Sequence, residues 1–191
     1  MTTRIFINGF GRIGRTVLRQ VLSNIDTEQF EIVGINDVAD PDTLTYLFKY
    51  DSIFGVWRDP VFFMQDRLVI DATSIPFTRK PSLTDLDLHG VDVLLECSGK
   101  VSSRSVAESS MTAGAHAVLI SGPCEFADQT VVMDANNADL GDARIVSNAS
   151  CTTNAIAPLL KMLDIGMGVE HAHVTTVHCY TGGQPTVDQV G

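Results

Sequence analysis

Two short segments contain residue types that can do chemistry, and the first is centred on a cysteine. Cys151 stands between Ser150 and Thr152 at a point where an apolar, strand-like run gives way to a helix-forming stretch. A thiol at a helix N-terminus faces the positive end of the helix dipole, which favours the thiolate. The free backbone amides there can hold an oxyanion or a phosphate beside Ser150 and Thr152. The pattern predicts a nucleophile, and a capped helix with a small buried cysteine is the structural alternative.

A histidine that could serve this thiol follows it by 27 residues. His178 ends a β-branched run that we predict to be a strand from His173 to Cys179. A strand returning beside the helix would let the imidazole act as base and later as acid, whereas a lone strand histidine can equally be structural. His171 and His173 could share one face of that strand, but no third ligand follows at a suitable spacing, so we expect no metal site.

The second segment is a glycine loop near the N-terminus. Gly9, Gly11 and Gly14 form a GxGxxG pattern between an apolar strand at Arg4–Asn8 and an amphipathic helix at Arg12–Ile25. Such glycines allow a tight turn, a close backbone approach to a pyrophosphate, and close packing of helix on strand. Because strand and helix flank the loop, the motif predicts a dinucleotide site.

The residue that would select the dinucleotide is Asp37. It lies 23 residues after Gly14, at the end of a strand that begins at Glu31. A carboxylate at this offset accepts the two ribose hydroxyls and repels a 2′-phosphate, and the next five residues, 38–42, contain no arginine to compensate. This predicts NAD as cofactor, not NADP, with a solvated loop aspartate as the structural alternative.

The elements that must position these residues alternate along the chain. Further strands are predicted at Asp92–Cys97, Ala117–Ile120, Thr130–Met133 and Arg144–Val146. A hairpin is predicted from Val61–Met64 and Leu68–Ile70, which flank a Gln65-Asp66-Arg67 turn. Further helices are predicted at Thr43–Lys49 with Asp40 as N-cap, at Ser102–Ala113, and at Thr152–Asp164. Such alternation predicts an α/β fold of the Rossmann type, a doubly wound and mostly parallel sheet with helices on both faces.

Composition limits the classes of protein and of partner. The chain has 191 residues, of which 45% are hydrophobic and 19% charged, so a disordered chain is excluded. Its net charge of −10 lacks the basic surface that nucleic acids or anionic membranes require. The N-terminus has no signal-peptide pattern, and the four cysteines have no pairing pattern, so we expect a cytoplasmic protein with reduced thiols.

Four segments together resemble phosphorylating glyceraldehyde-3-phosphate dehydrogenase. They are INGFGRIGR (Ile7 to Arg15), Asn36-Asp37, SNASCTTN (Ser147 to Asn154) and HCYTGGQ (His178 to Gln184). The resemblance spans the whole chain, and SNASCTTN is its most specific part. It implies the N-terminal portion of a homotetrameric enzyme, with an NAD-binding domain over residues 1–150 and the start of an α+β catalytic domain over 151–191.

The resemblance also implies a role for each matching residue. Cys151 would be the nucleophile and His178 the group that activates it. The glycines of the loop, Arg12 and Ile13 would lie under the pyrophosphate, Asp37 on the adenosine ribose, Arg79 near the adenosine end and Ser121 near the nicotinamide. Ser150, Thr152 and Thr181 would bind the substrate phosphate and inorganic phosphate.

The implied reaction is the NAD-dependent oxidation of glyceraldehyde 3-phosphate, with inorganic phosphate, to 1,3-bisphosphoglycerate. Two alternatives stay open on the sequence. An erythrose-4-phosphate dehydrogenase would share the glycine loop and SCTTN, although Tyr180-Thr181 follows the glyceraldehyde-phosphate pattern. A truncated, non-catalytic NAD-binding module would share the first domain and lack turnover.

Overall fold

A computed structural model describes residues 2–23 and 29–178 of the chain. The strands are β1 (Thr3–Asn8), β2 (Phe30–Asn36), β3 (Tyr50–Asp51), β4 (Gly55–Val56), β5 (Val61–Met64), β6 (Arg67–Ile70), β7 (Thr73–Thr78), β8 (Val93–Glu96), β9 (Ala117–Ile120), β10 (Gln129–Thr130) and β11 (Ile145–Ser147). The α-helices are α1 (Arg12–Ser23), α2 (Pro41–Lys49), α3 (Arg104–Thr112) and α4 (Cys151–Met167).

One sheet organises these elements. Within the described residues it has nine strands, in the order β10-β11-β9-β8-β1-β2-β7-β6-β5. The strands from β10 to β7 run parallel, and β6 and β5 continue the sheet antiparallel. The strand order reverses at β1, because β2 lies on one side of it and β8 on the other. This confirms the doubly wound sheet, whose reversal opens a crevice at the carboxyl ends of the central strands.

Alternating side chains of β1 supply a core on each face of the sheet. Phe6 belongs to a cluster that includes Ala107 of α3. Ile7, fully buried, belongs to a second cluster with Leu18 of α1 and Phe48 of α2. Burying one such aliphatic or aromatic side chain stabilises a fold by roughly 1.5–3 kcal/mol, so helices are held firmly on both faces.

Two local predictions are confirmed, the Asp40 cap of α2 and the turn of the hairpin between β5 and β6. The Asp40 side chain caps α2 by accepting a hydrogen bond from the backbone N–H of Thr43 at 2.8 Å. Gln65 and Asp66 have φ values of 51° and 54°, the left-handed turn conformation that closes the hairpin between β5 and β6.

Two predicted strands are wrong in part. The strand expected at Thr130–Met133 stops at Thr130, because the Asn136 side chain donates to the Thr130 carbonyl at 2.9 Å and accepts from Val132 N–H at 2.8 Å. Val131 N–H still donates to the Ser147 carbonyl of β11 at 2.8 Å. The Asn136 side chain holds the backbone on either side of Val131, and the chain leaves the sheet in a turn at 133–136. Residues 173–178 form no regular structure, so His171 and His173 do not share a strand face. The β-branched residues of this segment favour a strand, but no strand among the described residues pairs with them.

Strand β7 was not predicted. It contains Pro76, which discourages a strand assignment from sequence. In the structure β7 joins the parallel sheet to the hairpin, since Phe77 pairs with Ile35 of β2 and Pro76 with Arg67 of β6. None of the helices in the described part of the chain combines the length and apolar character needed to cross a bilayer.

Candidate active site

A sharp turn between β11 and α4 presents Cys151. Ala149 is buried and has a φ of 58°, the left-handed region that non-glycine residues seldom adopt. Its amide donates to Ser147 Oγ at 3.1 Å. Ser150 then caps α4, its Oγ accepting from Thr153 N–H at 3.0 Å. Ser150 therefore has the capping role, but Cys151 is exposed, which excludes the alternative of a small buried cysteine.

His178, the last residue that the structure describes, lies beside this thiol. Cys151 Sγ lies 3.2 Å from His178 Nε2, within hydrogen-bond distance, and both residues are exposed. The hydrogen bond with His178 lowers the pKa of the Cys151 thiol, and hydrogen bonds from Thr152 lower it further. A thiolate held beside an imidazole is the arrangement that covalent catalysis by cysteine requires.

The lowered pKa predicts a distinct pH dependence of alkylation. Because the thiolate is the reactive form, the iodoacetamide reaction at Cys151 should reach its plateau at a lower pH than for an ordinary thiol. Replacing His178 with alanine removes the principal cause, so the midpoint should move to higher pH. The rate at Cys151, followed by peptide mass spectrometry between about pH 5 and about pH 10, measures this. Identical midpoints in the two proteins would contradict the pairing.

Cys97 supplies an internal control for that experiment. Burial raises the pKa of its thiol to about 11, and a hydrogen bond with Ser121 offsets only part of this effect. Cys97 should therefore stay protonated and unreactive at neutral pH while Cys151 is labelled.

A cleft of about 290 Å³ lies at the carboxyl ends of β1, β2 and β8. It occupies the crevice where the strand order reverses, the usual ligand position in a doubly wound sheet. The residues that line it and carry polar groups are Asn8, Asn36, Asp37, Lys80, Ser82, Glu96, Cys97, Ser98 and Lys100, together with the backbone of Gly9 and Gly11. The β11–α4 turn with Cys151 lies at the same edge of the sheet, because β11 runs parallel to these strands.

Each glycine of the loop occupies a different environment. Gly9 has a φ of 93°, and a Cβ there would meet Ser98 N at 2.4 Å. A Cβ on Gly14 would meet the Gly9 carbonyl oxygen at 2.2 Å, whereas a Cβ on Gly11 would meet nothing within 4 Å. The first and third glycines are thus required for packing, and Gly11 leaves open space above the N-terminus of α1. This arrangement fits the pyrophosphate of NAD.

Asp37 lines the same cleft. Its Oδ2 accepts from Phe10 N–H at 2.7 Å and its Oδ1 from Ala39 N–H at 2.9 Å. The carboxylate is therefore half-buried and fixed to the glycine loop, unlike a solvated loop aspartate. Arg79, from the end of β7, donates to the Val38 carbonyl at 3.2 Å. The Arg79 side chain therefore lies beside the residue that follows Asp37, although residues 38–42 themselves contain no arginine.

The other predicted residues are more scattered. Arg12 and Ile13 are exposed on the first turn of α1, and Thr152 is partly exposed on the first turn of α4. Ser121 follows β9, and its N–H donates to the Glu96 carbonyl at 3.0 Å. Thr181 lies outside the described residues. Among the residues that are described, no cluster of three or more His, Cys, Asp or Glu is arranged to hold a metal ion.

Sequence reasoning missed most of the polar residues of the cleft, among them Asn8, Glu96 and Ser98. Asn8 and Glu96 are each the last residue of a buried strand, and Ser98 follows two positions after the second. A polar residue that closes an apolar strand was the available signal, because strand ends of a parallel sheet meet at the ligand-binding edge.

Comparison with protein families agrees with this geometry. The model of the glyceraldehyde 3-phosphate dehydrogenase NAD binding domain matches residues 3–104. The model of the C-terminal domain of the same family matches residues 150–191. The first includes the glycine loop and Asp37, and the second begins at the cap of α4.

Curated relatives match across nearly the whole chain. Glyceraldehyde-3-phosphate dehydrogenase from Xanthobacter flavus is 42% identical over 191 residues, which is 98% of this chain and 57% of that protein. The enzyme of the same name from Cereibacter sphaeroides is 40% identical (98% and 56% covered), and that from Kitasatospora aureofaciens 44% identical (97% and 57%). The chain thus spans little more than half the length of these relatives. Its sequence, fold and cleft show that it belongs to the glyceraldehyde 3-phosphate dehydrogenase family.

Proposed function

We propose that this chain contributes the NAD site and the nucleophile to the phosphorylating oxidation of glyceraldehyde 3-phosphate to 1,3-bisphosphoglycerate, a reaction of glycolysis and gluconeogenesis. One observation carries the proposal: a cysteine at a helix N-terminus lies 3.2 Å from an imidazole, at the sheet edge that also forms a dinucleotide cleft. A binding module has no need of a thiol with a lowered pKa.

The chemistry assigned to the chain starts with the Cys151 thiolate, which adds to the aldehyde carbon and forms a thiohemiacetal. His178 gives a proton to the new oxyanion and takes it back as hydride leaves the carbon, so that the product is a thioester on Cys151. NAD, when bound, supplies the hydride acceptor. Inorganic phosphate then attacks the thioester carbonyl, releases 1,3-bisphosphoglycerate and restores the thiolate.

Backbone and hydroxyl groups around the thiol complete the proposed site. The free N–H groups of the first turn of α4 can stabilise the oxyanion. Ser150 and Thr152 flank the thiol, and with Thr181 we assign them to the substrate phosphate and inorganic phosphate. The positive end of the α4 dipole supports both assignments.

The proposal includes a division of the chain at Ser150. Residues 1–150 would be the NAD-binding domain and 151–191 the start of the catalytic domain. In support, every strand of the sheet among the described residues precedes α4, and no residue of α4 is fully buried. Cytoplasmic localisation stays a prediction.

We further propose a homotetramer. Exposed apolar side chains cluster along α2 and the β3–β4 hairpin, among them Tyr46, Tyr50, Ile53, Phe54 and Val56. Ile53 is 76% exposed, and several exposed apolar side chains on neighbouring elements are typical of subunit contacts.

Asp37 should determine the preference for NAD over NADP. Replacing it with asparagine removes the charge that opposes a 2′-phosphate and leaves Arg79 nearby to attract one. We expect weaker NAD binding and a fall of about tenfold or more in the ratio of the NADP to the NAD dissociation constant. Calorimetric titration of both dinucleotides measures it, and the ratio cancels any general damage to the glycine loop. An unchanged ratio would exclude Asp37 as the determinant.

NADH formation by the purified chain tests the proposed function. The two substrates to compare are glyceraldehyde 3-phosphate and erythrose 4-phosphate, each with and without inorganic phosphate. Phosphate-dependent NADH formation that favours glyceraldehyde 3-phosphate supports the proposal. A preference for erythrose 4-phosphate would favour the alternative dehydrogenase, and NAD binding without turnover of either aldehyde would favour the non-catalytic module.

A further inference from the structure

A row of buried polar side chains crosses the floor of the cleft. Asn8, Asn36 and Glu96 are the last residues of β1, β2 and β8, and the partly buried Thr78, the last residue of β7, lies beside Asn36. They are neighbours in the strand register, since Asn8 pairs with both Asn36 and Glu96, and Asn36 pairs with Thr78. Asn8 is 8% exposed, Asn36 4% and Glu96 1%. None of them has a role in the proposed chemistry, yet burying such groups is costly unless every one is hydrogen-bonded.

The backbone of Lys80 fixes the direction of the hydrogen bonds at one end of this row. Its N–H donates to Asn36 Oδ1 at 2.8 Å, and its carbonyl accepts from Asn36 Nδ2 at 3.0 Å. The Asn36 amide therefore has one possible orientation. Asn36 Nδ2 also donates to Asn8 Oδ1 at 2.7 Å, which orients Asn8 in turn. Asn8 Nδ2 must then donate onward, and it does so to Glu96 Oε2 at 2.6 Å.

A second backbone amide fixes the other end. The N–H of Ser98 donates to Glu96 Oε1 at 2.8 Å, and the Ser98 hydroxyl donates to the same oxygen. Donors thus converge on Glu96 from both directions. A primary amide accepts on one side and donates on the other, but a carboxylate accepts on both. With a backbone donor at each end, the row needs one member that only accepts, and Glu96 is that member.

We propose that Glu96 is a positioning residue for the dinucleotide cleft. The inference rests on the proposed function, because it assigns Glu96 to the NAD site. Glu96 acts through the two asparagines on the chain segments that form the cleft walls. The Asn36 carbonyl accepts from Gly9 N–H at 2.8 Å, which ties the row to the glycine loop. The Asn36 side chain also holds the backbone of Lys80, another residue that lines the cleft.

The variant Glu96→Gln tests this with a minimal change of shape. A glutamine amide must place its NH₂ group against either Asn8 Nδ2 or Ser98 N–H. Turning Asn8 or Asn36 only moves the conflict along the row, because the amides of Lys80 and Ser98 cannot reverse. Either the buried Asn8 Nδ2 or the partly buried Ser98 N–H is left without its acceptor, so we expect E96Q to weaken NAD binding about tenfold or more and to lower the thermal midpoint.

The double variant Asn8→Asp with Glu96→Gln separates hydrogen-bond direction from packing. It moves the carboxylate one position along the row, where the introduced aspartate accepts from the introduced glutamine on one side and from Asn36 on the other. Net charge and shape are those of the wild type. We expect NAD affinity to return to within about threefold of wild type, although Asn8→Asp alone, with two adjacent carboxylates, should be at least as impaired as E96Q.

NAD affinity is measured by calorimetric titration, and the thermal midpoint is measured without NAD, for all variants. Glu170→Gln is the matched control, because it makes the same chemical change at an exposed residue. Weaker NAD binding in E96Q, together with restored NAD binding in the double variant, supports the proposal. If E96Q does not fold, a double variant that folds and binds NAD supports it equally. Wild-type affinity in E96Q, or no recovery in the double variant, overturns it. If the wild type itself binds no NAD, the proposed NAD site is wrong. The thermal midpoints of E96Q and of the double variant then still test whether Glu96 must be the acceptor in the row.

Discussion

Replacing Cys151 with serine is expected to lower phosphate-dependent NADH formation by roughly 10³-fold or more while changing the NAD dissociation constant by no more than a few-fold. The hydroxyl has the same position at the start of α4, but an imidazole 3.2 Å away does not ionise it as it does a thiol. Because Cys151 does not line the cleft, the dinucleotide should bind normally. Steady-state NADH formation and calorimetric titration measure the two quantities.

Cys124→Ser is the matched control. Cys124 packs against the core cluster that includes Ala107 of α3, and it belongs neither to the Cys151–His178 pair nor to the lining of the cleft. This variant should retain most of the turnover. Equal losses of turnover and of NAD affinity in Cys151→Ser would mean that Cys151 is a structural thiol.

Two alanine variants of the glycine loop should fail in different ways. At Gly11 a Cβ meets no atom within 4 Å, so Gly11→Ala should fold with an unchanged thermal midpoint. The methyl group then occupies the space that the pyrophosphate needs, and we expect NAD affinity to fall about tenfold or more.

Gly14→Ala should instead lose stability. Alanine gains about 1 kcal/mol in helix propensity. A Cβ 2.2 Å from the Gly9 carbonyl oxygen, however, forces the backbone apart, and such overpacking costs about 1–3 kcal/mol. Urea unfolding of both variants together with NAD titration tests the pair. Loss of stability in Gly11→Ala, or a stable Gly14→Ala with weak NAD binding, would reverse the assigned roles.

Local signals made much of this fold and of the candidate site predictable. The Asp40 cap, the Gln65-Asp66 turn and the alternation of strands and helices depend on interactions within a few residues, and each of these predictions is confirmed. The GxGxxG loop was readable for the same reason, because its glycines act on their own neighbours.

Long-range contacts were not predictable in this way. The sequence suggested that His178 reaches Cys151 by means of a strand, and the structure has the 3.2 Å contact without the strand. The bond between Asn8 and Glu96 joins residues 88 positions apart, and no local pattern marks it. Arg79 likewise reaches Val38 only because β7 lies beside β2. Such partners become neighbours only through the strand order of the sheet.

The covalent intermediate provides the most direct test of the central claim, that Cys151 carries the acyl group. The purified chain is mixed with NAD and glyceraldehyde 3-phosphate without inorganic phosphate, and its mass is measured before and after phosphate is added. We expect one acyl adduct per chain on the peptide that contains Cys151, formed with one NADH and removed by phosphate. NADH formation without this adduct, or an adduct on Cys151 that phosphate does not remove, would contradict the account.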